Sequence, residues 1–475
     1  MLCTLHAQKQ EYFLVDESVG KVYASIIEFD FDAAEYELQD ARFSQNAIRH
    51  LLHNQIGFLK IFSNEDADQY LAYLKNKQER LSNIEKADRS VPFYHYCLAE
   101  IHLQSAILNI RFQDRVKGIL SLRKALNHIK KNQVKHPDFF LNYKLSGLLK
   151  AFSGAVPENY HWISDLLGFD GTVEDGLNDL QQLERLVRKK QTFHFLLPEI
   201  IFYQAFIQLN LSGNEPDYKN WYQKIDALPS KGPLIQFCAA MIASKEKNLE
   251  MQKKFLDIKQ SAYTFCYLDF LRGELALFNT KDDAPKYFHR YLNCFKGKTY
   301  VKAAYQKIAW HYLLKGEIQT YFNFMSLLKH EGEALTDEDK MAQQEAIRSK
   351  APDINLLKAR ILFDAGRYDE ALEKMNAMNP TAGLLYEFHY RLGRIQHLKK
   401  ESDNALLNYA KSIELRNNDE DYFAAASHFY SGEILILMGR NTEACYHFNK
   451  VLHEKNHPYK NSLDAKAKAR LQQCN

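Results

Sequence analysis

The sequence predicts an all-α fold of antiparallel helix hairpins, on three observations. Gly and Pro are scarce, 19 and 11 in 475 residues, and Pro92, Pro137, Pro198, Pro229, Pro352 and Pro380 fall between apolar stretches of helical period, where they separate helices. Three C-terminal segments, 354–378, 387–415 and 427–452, align with one another. Each carries a small residue (Ala359, Gly393, Gly432) and, twelve positions later, an alanine (Ala371, Ala405, Ala444), as expected where two helices cross with their backbones close.

Taken in order, residues 1–10 hold MLCTLHAQ, whose Leu5-His6-Ala7 before Gln8 resembles the end of a secretory signal without its charged and apolar segments. They read as the remnant of an export signal or as an ordinary tail, which leaves a periplasmic or otherwise exported location open beside a cytoplasmic one. Residues 11–150 read as degenerate helical repeats: a turn and second helix over 26–42, then a pair over 92–110 and 115–132. A central group, 151–345, follows. There 262–278 pairs with a helix after Asp283, a plausible N-cap, and Pro285, which suits a first helical turn; a second pair runs from Tyr300 to 322 and beyond. The clearest repeats occupy 346–475, with alanines spaced 34 and 39 residues apart and glycine in the turns 364–367 and 438–441.

The motifs GRYDEAL (366–372), NALLNYAKSIEL (404–415) and MGRNTEA (438–444) resemble the tetratricopeptide-repeat family. That resemblance implies helix pairs stacked into a right-handed superhelix whose concave face binds extended peptides or partner helices. Two departures stand out: a short second helix in the first repeat, and Gln396 where a large residue is usual, which predicts looser packing. The stretch 153–183, through Pro157, Leu166, Gly168, Phe169, Gly176 and Leu177, is similar to a eukaryotic tetratricopeptide family of the mitochondrial outer membrane and inclusion-body clearance. LLKARILFD (356–364) is a second echo. The chain also looks like a widespread group of bacterial repeat proteins. These likenesses imply architecture, with no site.

Lys plus Arg number 62 against 59 Asp plus Glu, a net of +3, so no field over the whole surface draws in nucleic acid or an anionic membrane, and charge-driven recognition must be local. No 18-residue apolar run exists to span a bilayer. The seven cysteines are dispersed and never form CxxC, which suggests neither a zinc site nor a disulfide scaffold; Cys97, Cys238, Cys266 and Cys445 read as small hydrophobes. Gly297-Lys298-Thr299 ends like a phosphate loop, but Leu292 replaces its first glycine. The histidines, including His50, His53, His447, His453 and His457, lack the partners of a metal site. Thr336 to Asp339 reads as an acidic helix start, and Arg185, Arg188, Lys189 and Lys190 as a solvated basic helix end. With no GxSxG or cysteine–histidine signature, the expectation is a protein without catalytic residues, metal or cofactor.

The working surface expected from the repeats is the inner face of the first helices. Its positions are Leu356, Arg360 and Phe363, then Tyr390, Arg394 and His397, then Phe429, Glu433 and Ile436. Arg360 and Arg394 occupy equivalent places, a short basic ladder beside aromatics that suits an acidic or amphipathic protein segment. The same residues also suit packing between repeats. The Asn and Lys of chaperone-tail clamps are absent. A scaffold gripping a protein or peptide in this groove is therefore the first reading, with no nucleic acid as partner. An extracytoplasmic ligand-binding protein is the alternative, and an enzyme on a helical toroid, needing paired acids at a pocket mouth, is third.

Overall fold

A computed structural model describes residues 12–154, 171–212, 214–258, 263–348, 350–416, 422–455, 457 and 459–474. The export-signal reading of 1–10 and the family echo at Pro157, Leu166, Gly168 and Phe169 lie outside the described residues. Among the described residues every regular element is a helix, and the one β-type pairing is an isolated bridge between Tyr12 and Asn46.

Two local devices set the helix boundaries. Acidic side chains satisfy the free amides at helix starts: Asp16 accepts from the N–H of Ser18 and Val19, Asp66 from Gln69, and Asp353 from Asn355 and Leu356. Thr172 and Asp175 form a reciprocal capping box. Asp339, in the acidic stretch expected to open a helix, does more than that. It lies in the helix Asp337–Arg348 and also accepts from the N–H of Tyr300 (2.8 Å) and Ala303 (3.1 Å), so it caps the neighbouring helix Val301–Leu314 as well.

The second device is one repeated turn. Where a first helix ends, a single residue takes positive φ and its amide, with the next one, bonds back to the last carbonyls. Gly366 (φ 76°) and Gly439 (φ 72°) do this as expected, their N–H groups meeting the carbonyls of Phe363 and Ile436 at 3.0 Å. The same bonds form at Lys400 (φ 63°), Gln113 (φ 63°), Thr280 (φ 53°) and Phe29 (φ 59°), none of them glycine.

The chain divides into two compact units. Unit 1 holds residues up to 246 with 250–268 and 294–297. Its hairpins include Ile48–Asn64 with Ala67–Ile84, Pro92–Arg111 with Arg115–Lys135, and Asn142–Gly154 with Val173–Arg188. The first helices of successive hairpins touch, and the layer curls back until Tyr23 of Glu17–Ile27 hydrogen-bonds Glu199 of Leu197–Asn210.

Unit 2 holds 247–249, 269–293 and 298–475. It contains the pairs Val301–Leu314 with Ile318–His330, Ile354–Asp364 with Tyr368–Asn376, Leu385–Leu398 with Ser402–Glu414, and Phe423–Leu437 with Asn441–His453, then Lys460–Cys474. The expected close crossings are present. A Cβ on Gly393 would stand 2.8 Å from the Tyr409 ring and 3.3 Å from the carbonyl oxygen of Ala405, and one on Gly432 would stand 2.6 Å from the Phe448 ring. At Gln396, where a large residue is usual, the side-chain carbonyl accepts from the Asn408 amide at 2.8 Å.

One expectation is corrected. Cys266 is not a free hydrophobe but is bonded to Cys294. The two are 28 residues apart in sequence, yet one begins the helix Cys266–Phe278 and the other ends Ala284–Cys294, and an antiparallel hairpin sets those ends side by side. Cys97 and Cys238 are buried free thiols, and Cys445 is half-buried.

Candidate functional site

In unit 2 the first helices Val301–Leu314, Ile354–Asp364, Leu385–Leu398 and Phe423–Leu437 form a layer, each touching the next. The repeated turn fixes their register. Counting six residues back from Gly316, Gly366, Lys400 and Gly439 gives Trp310, Arg360, Arg394 and Glu433, one rung of the layer from each helix.

The expected site residues fall into three columns. Leu356, Tyr390 and Phe429 are core, with exposures of 1%, 6% and 7%, and they form a floor rather than a contact surface. The Tyr390 ring packs on Phe423 at 4.9 Å and on Tyr422 at 5.5 Å. Arg360, Arg394 and Glu433 form the second column, half-buried. Arg360 lies 4.5 Å above the Trp310 ring with Asp364 at 3.8 Å. Arg394 sits between Tyr430, 3.5 Å from its ring centre, and Phe363 at 5.3 Å. Glu433 is held by both arms of Arg470, at 2.6 and 3.0 Å. Phe363, His397 and Ile436, also half-buried, make the third column.

The electrostatics follow from this packing. Burial alone would lower the pKa of Arg360, but the oxygens of Tyr422 and Asp364 outweigh it; for Arg394 the phenols of Tyr430 and Tyr409 do the same, so both guanidiniums stay charged. Burial, and then the charge of Arg394, push His397 down to about 4, so it is a neutral ring at pH 7. Its Nδ1 lies 3.3 Å from the Tyr409 hydroxyl.

Sequence reasoning named the two arginines but neither the rings that pack on them, Trp310 and Tyr430, nor Arg470, which holds Glu433. A signal for Trp310 existed, since it stands six residues before Gly316 as Arg360 does before Gly366. Tyr430 had none, because it reaches Arg394 from the following repeat.

Unit 1 contains the paired acids that an enzyme would need, but not at a pocket mouth. Glu100 and Glu199, each 2% exposed, share the ammonium of Lys144 at 3.1 and 2.6 Å. Gln55 and Tyr203 each donate to Glu199 at 3.1 Å, the Tyr23 hydroxyl donates to it too, and Gln104 donates to Glu100 at 3.2 Å. Burial raises the Glu100 pKa against the pull of Lys144; burial would lower that of Lys144, but the two carboxylates hold it above the ordinary value. Among the described residues no group of three or more His, Cys, Asp or Glu is placed to hold a metal ion, and no helix is long and apolar enough to cross a membrane.

No family model and no curated protein matches the chain. Among solved structures it is similar to the human IFIT1 dimer with m7Gppp-AAAA, at 14% identity over 97% of this chain and 96% of that one, with a TM-score of 0.34. It is also similar to yeast Tom70, at 13% identity over 95% and 96%, with a TM-score of 0.29. Its own hairpins, turns and crossings give the chain an all-α, antiparallel helix-hairpin fold of the tetratricopeptide-like kind.

Proposed function

We propose that the chain is a non-catalytic scaffold that holds an acidic or amphipathic peptide or helix of a protein partner against the first-helix layer of its C-terminal repeats. Arg360 and Arg394 receive carboxylates, Phe363, His397 and Tyr430 supply rigid apolar walls, Tyr390 and Phe429 form the floor, and Glu433 with Arg470 closes one end. The observation that carries this reading is Arg394: a half-buried guanidinium between two rings, with no carboxylate partner among the described residues. A cation held that way has already lost part of its hydration, so an incoming carboxylate gains more from it than from a solvated lysine. A chain of net charge +3 offers a phosphate-rich strand no attraction over its whole surface, which favours a short carboxylate-bearing segment meeting these two arginines locally.

The test compares partner capture from the host by the natural chain and by the Arg360→Glu/Arg394→Glu variant, with circular dichroism confirming that the variant is folded. The captured set should shrink, and an acidic peptide drawn from it should bind only the natural chain. Undiminished capture rejects the site, and preferential binding of an oligoribonucleotide replaces the peptide. A second reading, a ligand-binding protein working outside the cytosol, is favoured by the Cys266–Cys294 bond, because such bonds persist in oxidising compartments. Alkylation of both thiols in protein freshly isolated from the host would count against it.

A further inference from the structure

We propose that the outward face of the helix Arg115–Lys135 in unit 1 docks onto an anionic lipid surface. Every charged side chain in this 21-residue helix is a cation: Arg115, Lys117, Arg123, Lys124, Lys130, Lys131 and Lys135. In a chain of net charge +3 this is a strong local concentration. The opposite face packs into the protein through Gly118, Ser121, Ala125, Leu126, Ile129 and Asn132, all buried against the unit. The exposed face is not simply a solvated charged surface, because it also carries aliphatic residues. Val116, Leu120 and Val134 are 71%, 54% and 83% exposed.

Helical geometry aligns these three. At about 100° per residue they fall within a stripe roughly 40° wide, and from Val116 to Val134 the stripe runs about 27 Å, with the exposed, uncharged Asn127 on the same line between Leu120 and Val134. Lys117, Lys124, Lys131 and Lys135 line one flank, with Arg123 and Lys130 toward the other. The field extends onto the neighbouring helix Ala67–Ile84, where burial and then the charges of Lys124 and Lys117 lower the pKa of Lys77. Acids near this face are few: Asp114, at the helix start, is paired with Lys117 at 2.7 Å, and Glu79 is exposed on the neighbouring helix. An apolar stripe bordered by long cationic side chains suits the headgroup region of a bilayer. The aliphatic groups enter the interface while the lysines keep their ammonium groups among the lipid phosphates. A single-stranded nucleic acid would instead call for aromatic rings on which its bases stack, and this stripe has none.

The test is flotation of the full-length protein with vesicles of phosphatidylcholine alone and with about a third phosphatidylserine. Binding to the anionic vesicles and not to the neutral ones is expected. Each cation at such a surface contributes about fivefold in partition, so Lys124→Glu/Lys131→Glu should weaken binding by about 25-fold or more. Val116→Ser/Leu120→Ser/Val134→Ser keeps every charge and should still weaken vesicle binding several-fold, with helix content unchanged by circular dichroism. Equal binding to both vesicle types, or unchanged partition of the charge-reversed variant, overturns the proposal. So does tight binding of an oligouridine strand that the serine variant leaves intact while anionic vesicles are ignored.

Discussion

Lys400 shows how much one residue can conceal. It occupies the turn position held by Gly366 one repeat earlier and Gly439 one repeat later, with the same positive φ and the same pair of backbone bonds. A side chain in that conformation crowds the backbone, at a cost of about 1 kcal/mol that glycine avoids. Lys400→Gly should therefore raise stability by about 0.5–1 kcal/mol, read as a higher urea midpoint with an unchanged slope. A lower midpoint would mean that the turn does not have this geometry. The arginines of the candidate site were legible because two equivalent positions carry the same residue. The tyrosines around them were not, because an aromatic at helical spacing is as well explained by core packing. Tyr390 and Phe429 do prove to be core.

At the level of the hairpin, the sequence displays its crossings better than its turns. Gly393 and Gly432 mark places where only small side chains fit: the structure sets Gly393 beside the Ala405 carbonyl and the Tyr409 ring, and Gly432 against the Phe448 ring. The turns at Phe29, Gln113, Thr280 and Lys400 gave no comparable signal, because tertiary packing imposes on ordinary residues what glycine accepts freely. That is why the upstream repeats look degenerate while their geometry is regular. The Cys266–Cys294 pairing was hidden for a similar reason: the alignment of the two helix ends exists only once the hairpin has formed. Closing that 28-residue span restricts the unfolded chain and should contribute about 3–4 kcal/mol. Mild reductant should lower the melting temperature of the natural chain and leave that of Cys266→Ser/Cys294→Ser unchanged. Equal shifts in both would place the effect elsewhere.

For the molecule as a whole, buried histidines tie stability to acidity. Burial, and then the neighbouring His128 and His447 respectively, push His102 and His428 from 6.5 down to about 3. Both are neutral when folded, so below about pH 6.5 the unfolded chain takes up protons that the native one refuses. Their contribution is complete above pH 6.5 and drains away toward pH 3, by up to about 1.4 kcal/mol per pH unit for each ring. Glu100, Glu274 and Asp339, which burial raises, act in the opposite sense. Urea midpoints should fall between pH 7.5 and 5, and His102→Gln should flatten that fall; an equal slope in the variant would remove His102 from the account. The fold class was legible throughout because helical period survives in every segment, whereas the buried ions of unit 1 were not, since their partners come from distant hairpins. Those ions also change how the protein can come apart. An open array of repeats contacts only its neighbours and can unzip from either end. Tyr23 and Gln55 both bond Glu199, at sequence separations of 176 and 144 residues, so the first hairpins of unit 1 cannot fray without breaking their bonds to the helix Leu197–Asn210, and the stretch between them opens together rather than from its end.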